Sequence, residues 1–161
     1  MKVRLLSNER ETPTARRIRV GLGGTPFPYR AGQAASLAAG SSPTPYSIAS
    51  APSETSRHGW LEFLVKVDGS SRFGAIVESL VAGASLELTG PAGTFTLDRV
   101  PPDAPVLFVA GGTGIAPVRA MIREAIASGR PRRLALVYSR LVSFSSPTKT
   151  FSSLTSFYTS L

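Results

Sequence analysis

The chain has 161 residues, a formal net charge of +8, one histidine and no cysteine. That length holds one domain or two small ones, and a globule of this size buries about 70% of its unfolded surface without covalent staples. Disulfides, thiolate metal centres and a chain-borne iron-sulfur cluster are excluded, and the lone His58 cannot build a metal site.

Met1 to Arg10 carries charge at Lys2, Arg4, Glu9 and Arg10 and lacks the apolar segment of a signal peptide, and no stretch approaches the ~20 apolar residues of a membrane span. A cytoplasmic protein is the expectation. The positive charge is scattered arginine, including Arg16, Arg17, Arg19, Arg30, Arg57, Arg99, Arg119 and Arg132. It forms neither a helical stripe nor a pattern interleaved with aromatics, which argues against nucleic acid. Phosphate-bearing cofactors, or an acidic protein docking by charge, suit it better.

In chain order, Val3 to Leu6 and Ala15 to Leu22 are short β-prone segments, the second alternating Arg17 and Arg19 with Ile18 and Val20 in the period of a half-solvated strand. Gly23 to Pro28 reads as a loop. Gln33 to Leu37, Tyr46 to Ala49, Trp60 to Val67 and Ser85 to Thr89 supply further strands, each bounded by Gly, Pro, Ser or Asp. His58, beside Gly59 in a polar stretch, reads as a solvated loop residue. Six short strands within ~100 residues predict a closed antiparallel barrel. Phe73, Ile76, Val77 and Leu80 share a helical face, so one short helix over Phe73 to Val81 is expected to cap one end.

Pro101, Pro102, Asp103 and Pro105 make a stiff connector, after which the pattern changes. The apolar run Val106 to Ala110, between prolines and glycines, predicts a parallel strand buried on both faces. Gly111, Gly112 and Gly114 permit a tight turn, and Ile115, Val118, Ile122 and Ile126 continue with helical spacing. Pro117 falls in the first helical turn, where its missing N–H costs nothing. Strand, glycine turn and helix together aim unpaired amides and the positive helix end at one spot, as a phosphate or pyrophosphate requires, although many such turns bind nothing. Leu134 to Tyr138 is the second buried strand. After Arg140 the composition breaks: Leu141 to Leu161 is rich in Ser and Thr and has no Gly, Ala, Asp, Glu or Arg. It reads as a poorly ordered tail, or as the product of a frame shift or truncation. The expected division is 1–101, 102–140 and 141–161.

Three motifs stand in order: Pro45-Tyr46-Ser47-Ile48-Ala49-Ser50, Gly90-Pro91-Ala92-Gly93-Thr94-Phe95, and Gly111-Gly112-Thr113-Gly114-Ile115-Ala116-Pro117. With a barrel ahead of a nucleotide-type strand and helix, residues 1 to 140 resemble the ferredoxin–NADP reductase superfamily. The resemblance implies a β plus α/β fold: a six-stranded antiparallel Greek-key flavin-binding barrel with one capping helix, then an incomplete Rossmann-like NAD(P)-binding domain. It implies FAD as cofactor and NADPH or NADH as co-substrate. The implied activity is hydride transfer to the flavin and then electron transfer to an acidic carrier of ferredoxin or flavodoxin type. The alternative is a flavin-binding fragment without reductase activity.

By the same resemblance Tyr46 lies against the flavin ring and Ser47 orients its reacting edge, with Ile48 and Ser50 beside them. Gly90 and Gly93 let the chain turn close to the ring. Lys66 reaches a cofactor phosphate. The family arginine two places before the tyrosine is replaced by Thr44, and the phosphate loop reads Gly69-Ser70-Ser71-Arg72-Phe73-Gly74. Ser70, Ser71, Arg72 and Gly74 are therefore the expected phosphate site, with Arg72 supplying the charge missing at Thr44. Gly112, Thr113 and Gly114 match the residues that meet the NAD(P) pyrophosphate, and Pro117 lies towards the nicotinamide. The later part of the family's second domain, including its Cys-Gly motif, is not recognisable here.

Overall fold

The computed structural model describes residues 1–40, 42–69, 71–129, 133–139 and 155–159. Strands β1 (Lys2–Thr12), β2 (Ala15–Gly21), β3 (Ala34–Ala38), β4 (Thr44–Ser47), β5 (Trp60–Lys66) and β6 (Ser85–Ala92) form one sheet in the order β4-β3-β6-β1-β2-β5. All its named pairings are antiparallel. Its two edges meet through an Ile48–Phe63 bridge and an Ala49 N–H donated to the Glu62 carbonyl at 2.7 Å, which closes the barrel.

The closure follows from alternation. Val3 and Leu5, Ile18 and Val20, Ala35 and Leu37, Leu61, Phe63 and Val65, Leu86 and Leu88 all point inward into one core. Helix α2 (Arg72–Ser79) seats Phe73 and Val77 on that core, two residues shorter at its C-terminal end than the periodicity predicts and one longer at its start. Among the described residues it is not the only helix beside the barrel. A second, α1 (Pro52–His58), occupies the stretch read as loop, so His58 sits in its last turn, stacked on Trp60 with ring centroids 5.5 Å apart. Helix α1 has no apolar periodicity to announce it. It is made by its ends: Pro52 at the start, the Glu54 carboxylate accepting the Ala51 N–H at 2.9 Å, and Gly59 at φ 72° beyond the last turn.

Beneath α1, the Tyr29 hydroxyl donates to the Ser50 carbonyl at 2.9 Å and lies 2.8 Å from Thr55 Oγ1. Burial pushes this phenol up to about 12. Below pH 10 both folded and unfolded chains hold the proton. Between pH 10 and 12 the unfolded chain releases it first, so stability falls as pH rises through that window, by about 2 kcal/mol for a ring that keeps some contact with water. Denaturant melts of the wild type and Tyr29→Phe at pH 9 and 11.5 should show this part of the alkaline loss disappearing in the variant.

The second module has β7 (Val106–Gly111), a 3₁₀ turn at Gly112–Gly114, α3 (Ile115–Ala127) and β8 (Leu134–Ser139), with β7 and β8 parallel. A strand β9 (Thr155–Thr159) pairs antiparallel with β8. The remainder of 141–161, expected to be a poorly ordered tail, lies outside the described residues. Phe108, Val118 and Met121 form the small core. The expectation that β7 is buried on both faces is corrected: α3 covers only the Phe108 side, while Leu107 and Val109 on the other are 64% and 73% exposed.

Candidate functional site

The exit of β4 and the start of α2 come together. Tyr46 is half-buried, its ring centroid 5.5 Å from that of Phe73, and its hydroxyl is 3.4 Å from Ser71 Oγ. Ser71 caps α2 by accepting the Gly74 N–H at 2.9 Å. The Arg72 and Phe73 amides occupy first-turn positions that have no partner within a helix. Arg72 is exposed and makes no ion pair among the described residues, so its charge is free to act at this end of the helix. Ser70 lies outside the described residues. Ser47 is half-buried opposite Ala34 and its hydroxyl has no protein partner among the described residues. An aromatic face, a free hydroxyl, two amides and a guanidinium thus border one region, and these groups fit a planar heteroaromatic carrying phosphate.

Not every expected residue reaches it. The Ile48 side chain is wholly buried in the barrel core. Ser50 is equally buried, with its hydroxyl accepting the Glu62 N–H at 3.1 Å and lying 3.1 Å from the Tyr29 hydroxyl and 3.2 Å from that of Thr55. Both side chains hold the fold, Ile48 inside the barrel and Ser50 tied to Tyr29, Thr55 and Glu62 where the chain bends into α1. The Lys66 amine is 56% exposed and 3.6 Å from Asp68, while its carbonyl faces Gly74. Gly74 is a packing glycine: a Cβ there would stand 2.2 Å from the Lys66 oxygen.

The other half of the site is the turn Gly112-Thr113-Gly114, which lies beside β5. Tyr138 donates its hydroxyl to the Gly112 carbonyl at 3.3 Å, fixing the turn from β8. Pro117 is buried in the first turn of α3. Gly114 has helical backbone angles, φ −62° and ψ −9°, and a Cβ there would meet nothing within 4 Å.

Beside the apolar contact of Ala31 and Leu97 with Met121's cluster, a polar network that the sequence does not announce ties the two halves together. Arg119 on α3 donates to the Ala49 carbonyl at 2.6 Å, and reaches Glu54 at 3.3 Å and Glu62 at 3.3 Å. Glu62 is 1% exposed and also pairs with Arg19 at 2.8 Å. Arg123 pairs with Glu54, and Glu124 accepts the Ser53 N–H at 2.9 Å. Burial works against ionisation of Glu54, but the Ala51 amide and the Arg119 and Arg123 guanidiniums outweigh it and hold the carboxyl below the usual range. Among the described residues no three His, Cys, Asp or Glu side chains group as metal ligands, and no helix is long and apolar enough to cross a membrane.

A closed antiparallel barrel whose rim carries Tyr46 and the start of α2 is thus followed by strand, glycine turn and helix. Residues 108–141 match the family model of the oxidoreductase NAD-binding domain. The chain is 37% identical over 132 residues to the ferredoxin–NAD(P)(+) reductase component of the naphthalene 1,2-dioxygenase system of Pseudomonas putida, covering 80% of this chain and 38% of that protein. It is 36% identical over 119 residues to ferredoxin–NADP reductase B of Sorangium cellulosum (strain So ce56), covering 71% of this chain and 47% of the relative. Phthalate dioxygenase reductase superposes with a TM-score of 0.75 at 26% identity, over 87% of this chain and 43% of that one. Over the matched residues the chain is similar to members of the ferredoxin–NADP reductase superfamily. It spans less than half the length of these relatives.

Proposed function

We propose that the barrel holds FAD against Tyr46, with its phosphates at the start of α2, and that the glycine turn before α3 receives the pyrophosphate of NADPH or NADH. Bound FAD supplies the capacity to accept hydride and to release electrons one at a time. The protein supplies placement. Ser47 offers a hydroxyl to the reacting edge, Ser71, Arg72 and the first-turn amides of α2 take phosphate, and Thr113 adds a hydroxyl donor to the turn. Hydride transfer to a flavin needs no acid, base or nucleophile from the protein. The electrons then pass to a carrier protein. An acidic ferredoxin or flavodoxin suits a chain of net charge +8, and several of the relatives are named as reductase components of oxygenase systems.

The observation that carries this reading is the pairing of two ligand-ready ends, the Tyr46–Ser71 rim and the open Gly114 turn, on elements joined by Arg119. A second reading, a flavin-binding fragment without nicotinamide-driven reduction, is supported by the uncovered Leu107 and Val109 face. Anaerobic titration of the FAD-loaded chain with NADPH and then NADH decides between them: loss of the flavin band establishes the reductase, and a band that persists establishes the fragment. Arg72→Ala is expected to weaken FAD binding about tenfold, the worth of one charge-assisted hydrogen bond, with little change in folding. Unchanged FAD affinity by fluorescence titration would remove Arg72 from the phosphate site.

A further inference from the structure

The contact between α3 and the barrel side has an apolar part, Ala31 and Leu97 against the Phe108–Val118–Met121 cluster, and a directional polar one. Arg119 spends its guanidinium on three segments at once: the Ala49 carbonyl at the exit of β4, Glu54 of α1 and Glu62 of β5. Ala49 is two residues past Ser47, and Arg119 is five past Gly114. One planar side chain therefore connects the strand that presents Tyr46 and Ser47 to the helix that begins at the glycine turn. Glu62 makes the link specific. It is 1% exposed although its neighbours Leu61 and Phe63 face the barrel core, and its two oxygens are shared between Arg19 and Arg119.

Buried ion pairs contribute little net stability compared with an apolar contact of the same size, because both charges must be desolvated. What a rigid fork of donors contributes is one allowed position, since sliding α3 by an ångström would break several directional bonds that an apolar patch would tolerate. Transfer between two bound groups is sensitive to displacements of that size. We propose that Arg119 is a positioning residue: it sets the distance between the glycine turn and the Tyr46–Ser47 strand, and with it the rate of hydride delivery. This rests on the nicotinamide and flavin assignments made above.

The test uses the full 161-residue chain, whose lack of cysteine permits clean spin labelling at Lys2→Cys and Ala127→Cys, one on the barrel and one on α3. Arg119→Met should at least double the width of the label-to-label distance distribution. In the FAD-loaded chain it should slow flavin bleaching at saturating NADPH at least tenfold. FAD affinity and the NADPH concentration for half-maximal rate should stay within twofold, and dithionite should still bleach the flavin normally. Arg119→Lys, which keeps charge but not the fork, should fall between, and carries the comparison if the methionine variant does not fold. A wild-type distribution with a wild-type limiting rate overturns the proposal, as does a loss confined to FAD or NADPH affinity. If the wild-type chain itself is not bleached by nicotinamide, the reductase reading fails; the label distribution then judges the link alone, a broadened one upholding it and an unchanged one overturning it.

Discussion

Gly114→Ala is expected to leave the fold intact and to weaken NADPH binding by about 10- to 100-fold. Gly114 already has helical backbone angles and a Cβ would touch nothing, so alanine brings no strain. By restricting the unfolded chain it should stabilise by a few tenths to 1 kcal/mol, raising the melting temperature by about 2 °C. Nothing inside the protein asks for glycine at this position. A pyrophosphate approaching the amides at the start of α3 does, because a methyl group would stand between them and its oxygens, and each charge-assisted bond lost costs about 1.5–3 kcal/mol. Gly112 cannot serve the same test, since its φ of 52° makes any side chain strained. Calorimetric titration with NADPH and a thermal melt suffice. Unchanged affinity would mean that the turn does not receive the cofactor.

The architecture was legible where one face of a strand is wet and the other dry. Ile18 and Val20 alternating with Arg17 and Arg19 places β2, and Val106 to Ala110 followed by glycines places β7 and the turn. Legibility failed where burial is decided by partners distant in sequence. Glu62 in Trp60-Leu-Glu-Phe reads as the solvated position of an alternating strand, yet it is 1% exposed and is engaged by Arg119 of α3, a helix that starts more than fifty residues later. Arg119 reads for the same reason as a solvated helix residue. Helix α1 was missed because its stabilisation lies in Pro52, Glu54 and Gly59 rather than in an apolar stripe, although the Pro-x-Glu spacing before a glycine was a usable signal. Ile48 and Ser50 read as site residues by adjacency to Tyr46, whereas the local backbone turns their side chains inward.

Gly74 shows the same ambiguity in a glycine, and Gly74→Ala should have the opposite profile to Gly114→Ala. In a loop resembling a phosphate cradle, a glycine suggests close approach of a ligand. Here the approaching atom belongs to the protein: the added methyl would lie 2.2 Å from the Lys66 carbonyl oxygen and 2.9 Å from Ser71 Oγ. The first of these is backbone of β5 and cannot rotate away, so α2 must move off the barrel by more than an ångström. Phe73 and Val77 would then lose their seats in the core. Overpacking and lost burial together should cost about 3 kcal/mol, or about 10 °C in melting temperature. Because the displaced end of α2 carries Ser71 and Arg72 away from Tyr46, FAD binding should weaken with stability, while Gly114→Ala leaves FAD binding alone and slightly raises stability. A Gly74→Ala protein that melts normally but binds FAD poorly would instead make Gly74 a ligand glycine, and would show that α2 yields where β5 is taken to be rigid.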